Sequence, residues 1–293
     1  EQINSPVGTY AVPEFGTNFV RQMLVDTKPT TFAELVRISG LSHGTDVWTG
    51  NAQELVRQGI CTLKDAICTR DDIMVYLIHH GVENAKAFKI MESVRKGKGL
   101  TEEFEATMRE HDVPDWYIKS CKKIKYMFPK AHAVAYVTSA YRIAYFKVHY
   151  PKEFYCAYFT VRADEFDSEL MASGEEKARE SIRMLEAKKA AKETTAKEEN
   201  VITILEVVIE MYSRGITFDT IDLYKSDSTK FIPTEPGILP PLNAMPGVGT
   251  NAAKSIVDAR DGDKFDSVED LKQRSKVNKT VLEVMRNSGI LNG

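Results

Sequence analysis

From Asn18 onward the apolar residues of this chain recur three and four positions apart, as in Phe19, Met23 and Leu24 and then Phe32, Leu35, Val36 and Ile38. That spacing lines one face of a helix and no face of a strand, so it commits the chain through about residue 160 to helix-on-helix packing. Thr30 or Thr31 with Glu34 is a capping-box signal for the second helix. Further helices are expected over residues 52–58, 63–80, 83–95 and 101–111, then from Asp115 to Tyr126, and from Pro129 to about His149, where Pro151 stops the last. Between Ser39 and Gly50 the text turns rich in Gly and short polar residues, which reads as a loop.

The later chain follows a different grammar. Glu, Lys and Ala dominate Glu165 to Asn200, as in an exposed helix and a tolerant connection. A helix over Val201 to Ser213 ends at Gly215, and short β-like runs follow over Thr217–Leu223 and Lys230–Leu239, broken by prolines. The last fifty or so residues return to short helices. The expected fold class is mainly α, a multi-helix body followed by a small α+β domain, with a boundary near residue 213.

Composition excludes several classes. With 39 Lys and Arg against 42 Asp and Glu the formal charge is −3, so no bulk charge marks a polyanion binder. Cys61, Cys68, Cys121 and Cys156 form no CxxC pair and have no clustered His, against a zinc site or a disulfide framework and in favour of a reduced, cytoplasmic chain. No apolar run reaches the eighteen or so residues that span a bilayer. The chain opens without Met in a turn-like Asn4-Ser5-Pro6 segment, as a piece of something longer would.

Local composition tells more than the bulk. Between Asp115 and Glu153 there is no acidic residue, while Lys119, Lys122, Lys123, Lys125, Lys130, Arg142, Lys147 and Lys152 alternate with Tyr, Phe and Trp. Cations interleaved with aromatic rings suit phosphates and stacked bases. Lys130 and His132 fall in the first turn of the Pro129 helix, where backbone N–H groups lack intrahelical partners, and Tyr126, Phe128 and Tyr136 offer planar faces nearby. Taken singly, His132 also reads as a hydrogen-bonded interface histidine, and Tyr136 as core. The knot Arg95-Lys96-Gly97-Lys98-Gly99 resembles a loop that tracks phosphates, and Arg70 is either an ion-paired surface residue or a phosphate clamp. Adjacent Asp71 and Asp72 diverge by about 100° on a helix, a poor pair for two metals.

Met245-Pro246-Gly247-Val248-Gly249-Thr250 followed by an amphipathic stretch has the form of a helix-hairpin-helix turn over residues 246–260, with a second, weaker pair over 267–289. Glycines let the backbone approach a phosphate, the N–H groups opening the next helix point at it, and Lys254 adds charge one turn on. Such a turn reads phosphate geometry and not base identity, so it implies salt-sensitive, sequence-independent duplex binding. The bland alternative is a tight connector between helices.

Several strings together closely resemble one family: Val12-Pro-Glu-Phe-Gly-Thr17, Ile38-Ser-Gly-Leu-Ser-His-Gly-Thr-Asp-Val-Trp48, Arg70-Asp-Asp-Ile-Met74, Met91-Glu-Ser-Val-Arg-Lys-Gly-Lys-Gly-Leu100, Tyr126-Met-Phe-Pro-Lys-Ala-His132 and the Pro246 motif. The chain is similar from near residue 6 to its end to the C-terminal part of the PolC-type, family C DNA polymerase III alpha subunits of Gram-positive bacteria. The resemblance implies a palm tail over 1–25, a fingers domain over 26–212 and a duplex-binding domain over 213–293. It implies that Arg70, Lys130 and His132 meet the triphosphate of an incoming dNTP and that Tyr126, Phe128 and Tyr136 meet the nascent base pair. Arg95, Lys96 and Lys98 would meet nucleic-acid phosphates, and Gly247, Gly249, Thr250 and Lys254 would hold primer–template DNA. The implied Mg²⁺ ions sit on palm aspartates outside this chain, so by this resemblance the chain alone is inactive. The implied partners are the palm and thumb of the same polypeptide and, through a tail beyond these residues, a sliding clamp. A non-catalytic DNA-binding module and a helical protein that docks an acidic partner remain the alternatives.

Overall fold

The computed structural model describes residues 2–291 and divides into two compact units, Pro6–Ile143 and Ala144 onward, the latter joined by residues 2–5. The first unit is helical. Its elements are α1 (Asn18–Thr27), α2 (Phe32–His43), α3 (Gln53–Arg57), α4 (Arg70–His79), α5 (Asn84–Arg95), α6 (Glu102–Glu110), α7 (Asp115–Lys123) and the greater part of α8 (Lys130–His149). Ile38, Ile73, Leu77, Ile90, Val94, Met108, Ile118 and Val137 are buried at its centre. Of the apolar positions that set the helical spacing, Met23, Leu24, Val36 and Ile38 are buried, Leu35 is half-buried, and Phe19 and Phe32 are exposed.

Local chemistry sets the ends of these helices. Thr31 and Glu34 close a reciprocal capping box at α2. The helix expected from residue 63 begins only at Arg70, because the Asp72 carboxylate accepts hydrogen bonds from the Cys68 and Thr69 N–H groups and fixes the start of α4 there. Thr62 and Asp65 close a separate turn upstream. The loop expected from Ser39 starts later, since α2 runs on to His43. A Cβ on Gly44 would lie 2.8 Å from the Tyr126 carbonyl oxygen. Thr45 pairs with Tyr126, and this bridge draws residues 124–126 out of helix, so α7 stops at Lys123 and not at Tyr126.

The second unit contains the end of α8, then α9 (Pro151–Val161), α10 (Ser168–Met171), α11 (Glu175–Ala190) and α12 (Ala196–Ser213). Thr195 and Glu198 form a capping box that starts α12 five residues before the apolar pattern alone suggests. A three-stranded sheet follows in the order β1 (Thr217–Phe218), β3 (Gly237–Leu239), β2 (Ile232–Pro233), with β1 parallel and β2 antiparallel to β3. Phe159, Phe166, Phe218 and Phe231 pack ring on ring beside it. The chain closes with α13 (Thr250–Arg260), α14 (Val268–Ser275) and α15 (Lys279–Asn287), whose core is Met245, Val248, Ile256, Leu271, Leu282 and Met285. The mainly helical class with a small sheet ahead of the last helices agrees with the sequence expectation.

Candidate nucleotide wall and duplex-binding turn

In the first unit, Tyr126, Phe128, His132 and Tyr136 form a continuous series of rings. Tyr126 meets Phe128 edge to face at 5.1 Å, Phe128 stacks on His132 at 4.8 Å, and His132 tilts onto Tyr136 at 4.5 Å. Residues 132 and 136 share a face of α8 by their four-residue spacing, while Pro129 starts that helix with 126 and 128 just outside it. Tyr126 is 42% and Tyr136 51% exposed, so both ends of the series meet solvent. Ala133, Val137 and Ala140 on the neighbouring face are buried, which fixes the helix beside the rings.

The cations gather differently from their order in the sequence. Glu92, on α5, receives Arg95 through Nε at 2.8 Å and Nη2 at 2.9 Å, Lys96 Nζ at 2.9 Å, and Arg70 Nη1 at 3.9 Å. Arg70 from α4 and the Arg95-Lys96 knot therefore share one carboxylate. The Arg95 hydrogen bonds, then that of Lys96, pull the Glu92 carboxyl down to about 2. Lys98 is exposed and Gly97 takes φ +71°, with the Lys125 backbone too close behind it for any side chain. Lys130 Nζ stands 4.0 Å from Asp72, and its backbone N–H donates to Asp71 at 2.6 Å, so a carboxylate already occupies the first N–H of α8.

Other cations of the acid-free stretch pair with acids outside it, one within the same helix and the others from distant segments. Lys119 pairs with Asp115, Lys122 with Glu105, and Lys123 with Glu54. In the second unit Lys147 is buried against Glu210 at 2.7 Å, and burial pulls its ammonium down while that carboxylate pushes it up. Lys152 Nζ donates to the Thr234 and Glu235 carbonyls. The structure gathers no three His, Cys, Asp or Glu residues into a metal site among the described residues. Asp71 and Asp72 face different N–H groups, and this pair does not fit Mg²⁺.

In the second unit the Pro246 turn enters α13. Gly247 takes φ +91°, and a Cβ there would stand 3.0 Å from Val284 Cγ2, so this position admits only glycine without strain. Gly249 differs: it is extended at φ −71°, ψ 162°, is exposed, and a Cβ there would meet nothing within 4 Å. Nothing within the fold demands glycine at this N-cap, where Ser, Asn or Asp would cap better. The Thr250 hydroxyl lies 3.3 Å from Asp164 and 3.4 Å from the Asn243 amide, and Lys254 is exposed with no ion pair among the described residues. Sequence reasoning missed Glu92, although its three- and four-residue spacing to Arg95 and Lys96 signals it.

The two units thus carry two distinct constructions, a ring-and-cation wall and a glycine turn opening a helix. The profile of the bacterial DNA polymerase III alpha subunit finger domain matches residues 3–112, and that of the helix-hairpin-helix motif matches residues 215–293. The DNA polymerase III PolC-type of Clostridium perfringens is 60% identical over 293 residues, all of this chain and 20% of that protein. Those of Caldanaerobacter subterraneus subsp. tengcongensis and Bacillus subtilis are each 58% identical over 291 residues, 99% of this chain and 21% and 20% of their own lengths. The chain belongs to the PolC-type DNA polymerase III family and spans about a fifth of the length of the curated relatives it matches.

Proposed function

We propose that this chain supplies the nucleotide-facing and duplex-holding parts of a template-directed DNA polymerase. The observation that carries the reading is the exposed ring series Tyr126, Phe128, His132, Tyr136 beside Arg70, Arg95, Lys96 and Lys130. Stacking on such rings contributes about 1–3 kcal/mol per base and tolerates any base, as a polymerase requires. The cations suit the triphosphate of an incoming dNTP. In the second unit Gly247, Gly249, Thr250 and Lys254 grip primer–template phosphates through backbone N–H groups and one ammonium, without reading sequence.

In this reading residues 1–25 continue a palm, 26–212 act as fingers and 213–293 hold duplex. In this reading phosphoryl transfer and its Mg²⁺ ions belong to the palm of the same polypeptide, and Asp71 and Asp72 here are taken up by backbone N–H groups. In a polymerase containing that palm, Lys130→Ala or His132→Ala lowers single-nucleotide incorporation at least tenfold more than it lowers primer–template affinity. Equal loss of both measurements overturns the assignment of these residues to nucleotide.

A further inference from the structure

The Pro246 turn opens α13 with N–H groups that lack intrahelical partners, and one acid already stands beside them. Ala163–Glu165 form a single tight helical turn after α9, in the same unit as α13. Ala163 and Phe166 are buried on either side of Asp164, and the Glu165 and Phe166 N–H groups both donate to the Arg162 carbonyl. The turn is thus anchored from both ends, while Asp164 itself is exposed. Its Oδ1 lies 3.3 Å from the hydroxyl of Thr250, the first residue of α13. The positive end of a helix favours an anion at this place.

A second observation is Asn243, the other side chain at Thr250. It is 9% exposed, its amide nitrogen lies 3.4 Å from the Thr250 hydroxyl, and its Oδ1 is buried without a hydrogen-bond partner. Turning the amide over would leave its nitrogen in the same position, so one end stays unpaired either way. A buried polar group of this kind marks a network that lacks a partner. The carboxylate of Asp164 and the unfinished contacts of Asn243 therefore meet at one residue, Thr250.

We propose that Asp164 is a built-in competitor of the duplex, a carboxylate fixed at the mouth of the Pro246 turn that weakens the hold of α13 on phosphate. The inference rests on reading that turn as the duplex-holding element. A phosphate bound to Thr250 at an ordinary hydrogen-bond distance of about 2.8 Å would lie within about 6 Å of Asp164, where two like charges repel enough to change affinity several-fold. Lys254 attracts the phosphate one turn further on, and Asp164 opposes it at the entrance. A polymerase must release this contact and make it again at every base pair. A fixed like charge lowers the barrier to release, so the duplex is held loosely enough to advance.

Fluorescence anisotropy of the full 293-residue chain with a duplex of about 20 base pairs at about 0.1 M salt tests it. Asp164→Asn keeps the size and removes the charge; it tightens duplex binding at least about threefold without changing the melting temperature, and the gain shrinks as salt rises to about 0.5 M. Asp258→Asn removes an equal charge from an exposed position two turns along α13 and changes affinity by less than about 1.5-fold. A further readout needs no substitution: the Asp164 carboxyl ¹³C signal of the unaltered chain moves when duplex is added. Duplex binding that is unchanged or weaker in Asp164→Asn, an equal gain in Asp258→Asn, or a carboxyl signal that ignores duplex overturns the inference. A folded chain that binds no duplex in any form overturns the duplex-holding reading of the turn instead.

Discussion

The ring wall of the first unit and the glycine turn of the second are built by opposite means. The wall is made of side chains, with four rings in sequence and cations drawn onto Glu92 and Asp72. The turn is made of backbone: Gly249 presents no side chain, and Lys254, without an ion pair among the described residues, adds a charge one turn on. A wall of side chains can be tuned by what supports it, whereas a backbone turn depends on its core and on bare space in front of it. The difference predicts where substitutions act.

The largest effect should come from the core beneath the turn. Met285 is fully buried there, and Met285→Ala should cost about 3 kcal/mol in urea unfolding and abolish duplex binding, leaving the His132 ring signals unchanged. Gly247→Val should cost about 2 kcal/mol, from a positive φ and the close Val284 methyl, read by the same melt. Gly249→Asp tests the opposite property. Asp is a good N-cap in extended backbone, so stability should hold or rise by a few tenths of a kcal/mol. Duplex affinity should still fall about tenfold, because a carboxylate now occupies the phosphate's approach. Unchanged duplex affinity in Gly249→Asp would make the turn a plain connector.

On the wall, Tyr136→Ala should change stability by no more than about 0.5 kcal/mol, since half the side chain is exposed, while weakening nucleotide by about 1 kcal/mol in calorimetry. The smallest effect is a pH dependence. Glu92 is held at about 2 against an ordinary 4.5, so its contribution is complete above pH 4.5 and disappears as pH falls toward 2. The urea midpoint of Glu92→Gln should lack that part of the acid slope, and an identical slope would show that the three cations do not stabilise the carboxylate.

Helix content was legible because periodicity and caps are local: Thr31 with Glu34, Ser267 before α14 and Asn278 before α15 all act within one turn. The ring series was legible for a similar reason, since residues 126 to 136 lie within three turns of each other. The electrostatics were not. An acid-free stretch looks cationic in the sequence, yet Glu105, Glu54 and Glu210 reach it from 17, 69 and 63 residues away and neutralise Lys122, Lys123 and Lys147. Arg70 and Arg95 look like separate features and share one carboxylate.

By itself the sequence determined the helical class, the glycine turn and the family, all of which rest on short-range spacing or on the order of contiguous strings. Only the tertiary structure decided which cations remain free, that Gly247 serves the fold while Gly249 leaves space outside it, and that Asp164 reaches the Thr250 hydroxyl. Charge and shape at a site depend on distances of a few ångströms between residues far apart in the chain, and spacing along the chain carries no record of those distances.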